Sequence, residues 1–186
     1  MKTLAFKSSA NFRGWRAGHH HETEGIWLRI FKKDSGKPTV TYAEALDQAL
    51  CFGWIDGQKK SFDELSWIQK FTPRRPRSSW SKLNTQHVGR LMKSRLLMPA
   101  GLVQVEAAKA DGRWQAAYDS ARNAAPPEDF LRELAKSKKA KAFFETLNRA
   151  NVYAVVYRLQ TAKKPETRER RVKNILAMLA CGEKFH

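Results

Sequence analysis

A chain of 186 residues with 42% hydrophobic and 28% charged residues is long enough for one sizeable core or two small ones, and this composition excludes wholesale disorder. Two cysteines exclude a disulfide framework, and no run of residues approaches the apolar length of a membrane-spanning helix. Thirty-five Lys and Arg against eighteen Asp and Glu leave a net charge of +17, a surface that attracts phosphates and anionic lipid, more so at low salt.

The first eighteen residues carry only Leu4–Phe6 as an apolar run, too short for a secretory leader, so a cytoplasmic location is expected. Ile26-Trp27-Leu28-Arg29-Ile30-Phe31 is an apolar, aromatic and β-branched run closed by the turn cluster Ser35-Gly36-Lys37-Pro38, and it predicts a strand. A helix follows: Thr41 to Glu44 form a capping box, and Tyr42, Ala45, Leu46, Ala49 and Leu50 recur at helical spacing until Gly53. Trp54–Gly57 and Leu65–Phe71 read as two further strands, the second with Leu65, Trp67 and Phe71 on one side, so a small antiparallel sheet is expected. Asp56-Gly57 suits either a hairpin turn or the entry to a longer loop ending at Asp63-Glu64.

From Ser81 onward the pattern is helical. Ser81 suits the cap of a helix carrying Leu83, His87, Val88 and Leu91, and Pro99 opens another that closes at Gly112. The small, polar stretch Asn123–Pro127 suits a linker. Beyond it come four sets at helical spacing: Phe130, Leu131 and Leu134; Phe143, Phe144 and Leu147; Val152, Val155, Val156 and Leu159; and Val172, Ile175, Leu176 and Leu179, with Pro165 suited to a first helical position and Gly182 to a cap. The expected fold class is therefore α+β: residues 1–124 hold the small sheet in a mainly helical domain, and residues 125–186 form a helical unit.

The charge is uneven. Between Gly57 and Arg95 stand ten basic residues and two acidic ones. At the centre lies Phe71-Thr-Pro73-Arg74-Arg75-Pro76-Arg77-Ser-Ser-Trp80-Ser81, whose prolines hold the backbone extended and present three arginines from a stiff loop. Guanidinium forks fit phosphate oxygens, and tryptophan rings stack on bases or on guanidinium groups. The candidate anion or nucleic-acid site is accordingly Arg74, Arg75, Arg77, Lys59, Lys60 and Lys82, with Trp67 and Trp80; the competing reading has the arginines pair with Asp56, Asp63 or Glu64 and stack on tryptophan to brace the loop. The basic run Arg168, Arg170, Arg171 and Lys173, interleaved with Glu166 and Glu169, reads as a solvated helix face.

Signals for chemistry are sparse. His19-His20-His21-Glu22 offers nitrogen and oxygen ligands, but neighbouring histidines in a loop do not close a tetrahedral site by themselves, so neither a metal nor a cofactor is expected. His87 lies on an apolar helix side and His186 ends the chain; neither marks a site. No P-loop, nucleophile elbow, GxGxxG, HExxH or CxxC occurs, so no catalytic set is assigned. One alternative class is an enzyme or small-ligand protein with a cleft framed by Cys51, Trp54, Asp56 and Arg74. Another is an interaction module whose C-terminal helices dock a protein or an anionic membrane surface.

The string from Tyr42 through Cys51-Phe-Gly53-Trp54-Ile-Asp56-Gly57, followed by Phe71-Thr-Pro73-Arg74-Arg75 and Trp80-Ser81, resembles the YdeI/OmpD-associated (bacteriocin-protection, OmdA-like) family. The segment Ala162-Lys163-Lys164-Pro-Glu166-Thr167-Arg168-Glu-Arg170-Arg171 resembles its second hallmark, so the likeness runs from about residue 20 onward. It implies a bacterial protein linked to bacteriocin protection or stress tolerance and supplies no reaction or catalytic residues. The family's name also points to an outer-membrane porin, against which the absent leader argues.

Overall fold

A computed structural model describes residues 1–185; His186 lies outside them. The chain divides into two units, Met1–Trp80 with Asn84–Ala116, and Ser81–Leu83 with the chain from Ala117 on.

The N-terminal unit runs β1 (Thr3–Ala5), α1 (Ser9–His19), β2 (Ile26–Phe31), α2 (Tyr42–Cys51), β3 (Trp54–Asp63), β4 (Ser66–Pro73), α3 (Lys82–Lys93) and α4 (Pro99–Ala110), the first two residues of α3 belonging to the other unit. The capping box forms at α2: Thr41 Oγ1 accepts from the Glu44 amide at 3.3 Å, and the Glu44 carboxylate accepts from the Thr41 amide at 2.9 Å. Gly53 ends the helix at φ +74°, where a β-carbon would stand 2.8 Å from the Ala100 carbonyl oxygen, so both conformation and space demand glycine.

The strands pair in the order β1-β2-β4-β3. The pairs β2–β4 and β4–β3 are antiparallel, as expected, but β1 adds in parallel at the β2 edge, so the sheet is mixed. Neither β1 nor α1 carries a strong apolar pattern. Their order comes from long-range partners, as when Phe12 of α1 packs against Phe71 with tilted rings whose centroids lie 6.1 Å apart. The helix also takes in His19, placed in a loop by the sequence reading, whose Nδ1 sits 2.7 Å from the Trp15 carbonyl oxygen.

Neither alternative for Asp56-Gly57 holds. The chain passes through this pair as strand, and the hairpin turns at Glu64-Leu65. The alternation is broken by a bulge between Asp56 and Lys59. Buried Gln69 serves it from the neighbouring strand, its side-chain amide donating to the Gly57 carbonyl at 2.8 Å.

The register gives the sheet two different faces. Ile26, Leu28 and Ile30 of β2 and Phe71 of β4 are buried in the core with Phe12, Leu46 and Leu50. Trp27, Arg29 and Phe31 of β2, with Ile68, Lys70 and Thr72 of β4, occupy the opposite face and stay partly exposed.

The C-terminal unit holds α5 (Glu128–Ala135), α6 (Lys138–Glu145), α7 (Arg149–Gln160) and α8 (Pro165–Ala180). Phe130, Leu134, Ala140, Val155, Leu159, Ile175 and Leu179 form its core, and Phe143, Phe144 and Leu147 pack against it partly buried; all but Ala140 are residues that the helical spacing singles out. Ser137 and Asn148 cap α6 and α7, and Pro165 opens α8. The segment Ser81–Leu83 joins this unit through a bridge from Ser81 to Tyr118, an amide bond from Lys82 to the Tyr118 carbonyl at 2.8 Å, and an ion pair of Lys82 with Asp119 at 2.8 Å. Among the described residues no helix is long and apolar enough to cross a membrane.

Candidate functional site

The arginine loop follows β4, and the structure separates its three guanidinium groups. Arg74 is buried at 6% exposure; its guanidinium carbon lies 3.5 Å from the ring centroid of Trp80, itself 2% exposed, and its Nη1 donates to Ser79 O at 3.3 Å. Trp80 packs in turn on Trp114, with centroids 5.0 Å apart. Arg75 and Arg77 are exposed, and Arg77 takes a positive φ of 62°. Adjacent arginines alternate in direction along extended backbone, which explains why Arg74 braces the loop while Arg75 faces solvent.

Arg75 lines an open cleft of about 500 Å³ with Lys70, Thr72, Pro73, Arg74 and Pro76 on one side and Thr23, Glu24 and Gly25 on the other. Lys70 and Thr72 belong to the exposed face of β4, so the cleft is continuous with that face. A groove with an ammonium, a guanidinium and a hydroxyl suits the oxygens of a phosphate or carboxylate, with the Glu24 carboxylate the opposing charge in its lining.

The lysines of the hairpin lie against rings. Lys59 Nζ is 4.3 Å from the Trp67 centroid on the helix side of the sheet, where Trp67 also meets Tyr42. Lys60 Nζ is 5.0 Å from the Trp27 centroid on the exposed side. Lys82 stands apart from these groups: its ammonium pairs with Asp119 in the C-terminal unit.

The four residues proposed to frame a small-ligand cleft occupy different surroundings. Cys51 is fully buried, and burial pushes its thiol up. Trp54 is 1% exposed beneath Arg16, whose guanidinium carbon lies 3.6 Å from its ring. The Asp56 carboxylate accepts from the Tyr42 hydroxyl at 2.8 Å, and burial together with this bond pushes the Tyr42 hydroxyl well above its usual value. Arg74 stacks on Trp80 as described. His19, His21 and Glu22 line a separate cleft of about 440 Å³, and no group of three or more His, Cys, Asp or Glu among the described residues is placed to hold a metal ion.

Lys70, Thr72, Thr23 and Gly25 were not among the residues singled out from the sequence. Lys70 was legible as part of the basic excess; Thr23 and Gly25 reach the cleft only through the pairing of β2 with β4, which local patterns do not carry.

A domain of unknown function (DUF8412) matches residues 4–104, and the family described as Bacteriocin-protection, YdeI or OmpD-Associated matches residues 123–182. The chain belongs to the first family and carries a YdeI/OmpD-associated domain of the second. No curated protein and no solved structure matches it. The arginine loop, the cleft and the string from Tyr42 to Ser81 fall within the DUF8412 match. In the YdeI/OmpD-associated domain, Arg168 of the basic hallmark is structural: it grips Asp129 of α5 at 2.7 and 2.6 Å, holds that carboxyl below its usual range, and donates to the Leu159 carbonyl at 2.9 Å.

Proposed function

We propose that this protein acts in the cytoplasm, in bacteriocin protection or stress tolerance, by binding a polyanion, and that the polyanion is nucleic acid. The observation that carries this reading is the cleft in which Lys70, Thr72 and Arg75 meet, with exposed Arg77 in the same loop and Lys60 on the same face of the sheet. A net charge of +17 supplies the long-range attraction, and the exposed cations at the cleft give it a place to act. Phosphate contacts of this kind position a nucleic acid without reading its sequence.

Fluorescence anisotropy with labelled DNA and RNA across a salt series tests it. The expected result is saturable binding whose logarithm falls linearly with the logarithm of salt concentration, with a shallower slope for Arg75→Ala/Arg77→Ala. Absence of binding at low salt, or an unchanged slope in the double variant, overturns the assignment.

A further inference from the structure

Residues outside the arginine loop say which form of nucleic acid fits. We infer that the exposed face of the β1–β4 sheet is a stacking platform for the bases of a single strand. This inference rests on the polyanion reading for its electrostatics and adds the partner's class.

The face is built by the pairing register. From β2 it takes Trp27, Arg29 and Phe31; from β4, Ile68 and Lys70. Lys60 joins it, its ammonium 5.0 Å from the Trp27 ring. Phe62 joins it too, for its ring lies 4.7 Å from the Arg29 guanidinium, and it is 49% exposed. Three aromatic rings, Trp27, Phe31 and Phe62, therefore share one side of a sheet whose other side is the core. A strand turning alternate residues to solvent ordinarily shows polar ones there. An indole, two phenyl rings and Ile68 left partly exposed on such a face mark a binding surface.

The charges around the rings favour one occupant. Lys60 and Lys70 stand beside Trp27, one over the ring and one directly across the strand pair. Lys37 Nζ lies 5.1 Å from the Phe31 centroid. The carboxylate of Asp63 on this face is held by Arg29 and by Ser66, whose hydroxyl donates at 2.6 Å. Rings interleaved with ammonium groups complement a ligand that is itself an alternation of flat π-systems and phosphates. A single strand offers its base faces; a duplex hides them in its own stack, and a bare polyanion has none. The cleft lined by Lys70, Thr72 and Arg75 continues from this face and is placed to receive the backbone of the same strand.

The test compares labelled oligo-dT, a duplex of equal length and heparin, using the full chain and the variants Trp27→Ala and Phe62→Ala, with Trp27→Tyr as the conservative exchange. Single-strand affinity is expected to fall at least about fivefold in each alanine variant, with the salt slope unchanged and with duplex and heparin binding unchanged; Trp27→Tyr should keep most of the affinity. Equal single-strand affinity in wild type and both alanine variants overturns the platform while leaving polyanion binding intact. Failure of the wild type to bind any of the three probes overturns the underlying reading. Phe62 is half exposed, so its variant keeps the test decisive even if Trp27→Ala does not fold.

Discussion

Arg74 lies over Trp80, its guanidinium carbon 3.5 Å from the ring centroid, while its neighbour Arg75 is exposed and lines the open cleft. Two arginines adjacent in sequence thus have opposite environments. One fixes the loop against Trp80, and through it Trp114; the other is available to a ligand.

This difference predicts a split between stability and binding. Arg74→Ala removes a stacked, hydrogen-bonded buried side chain and should destabilise the fold by about 2–4 kcal/mol, seen as a lower midpoint in urea. Arg75→Ala should change stability by no more than about 0.5 kcal/mol while weakening nucleic-acid binding. Equal midpoints for the two variants would contradict the bracing role.

The contrast also shows how far local pattern reaches. Capping box, helix stops and the four C-terminal helices were legible because caps and helical periodicity act within a few residues. The basic loop was legible as charge. Which arginine turns inward was not, since that depends on Trp80 meeting Trp114, which lies beyond α4. The same holds for the exposed sheet face: Trp27, Arg29 and Phe31 alternate visibly in the sequence with Ile26, Leu28 and Ile30, but both sets are largely apolar, and only pairing with β4 decides which is buried. Bulges hide strands in another way, as β3 does by carrying Gly57 and Gln58 through what looks like a turn.

Close packing of α4 on α2 gives a second prediction. At Gly101 a β-carbon would run into the carbonyl oxygen of Cys51, a backbone atom, while the Met98 amide donates to that oxygen at 3.0 Å. Gly101→Ala should therefore cost about 1–3 kcal/mol despite alanine's better helix propensity. Gly89→Ala in α3, where nothing lies within 4 Å, should stabilise by a few tenths to about 1 kcal/mol. Thermal melts of the two variants should move in opposite directions.

Arg16 supplies a third. It is fully buried, with Nε and Nη2 lacking hydrogen-bond partners, and is held by its stack on Trp54 and one bond from Nη1 to the His19 carbonyl at 3.1 Å. Burial pushes its guanidinium down to about 10, against the opposing field of Glu22. A buried charge without a close carboxylate is replaceable by an apolar chain of similar length. Arg16→Met should match or exceed wild-type stability in guanidinium chloride, whereas Arg16→Ala, which opens a cavity over Trp54, should lose about 2–4 kcal/mol. A large loss in Arg16→Met would instead assign the guanidinium an energetic role beyond filling space.

Acid should loosen two contacts of the C-terminal unit. Asp119 is held below its usual range by the Lys82 ammonium and by Gln160, which donates at 2.8 Å, and Asp129 is held below it by Arg168. A carboxyl whose folded-state value is depressed contributes stability that is present above its unfolded value, about 4, and lost as pH falls through the lower folded value. Both pairs are partly exposed, so each contributes at most about 1 kcal/mol. Hydrogen exchange followed from pH 6 to 3 should show amides of α5 and α8 losing protection as pH drops below about 4. Asp129→Asn should weaken that protection already at pH 6 and flatten its dependence on pH, because the group that titrates is gone. An Asp129→Asn profile parallel to wild type would place the acid-sensitive contact elsewhere.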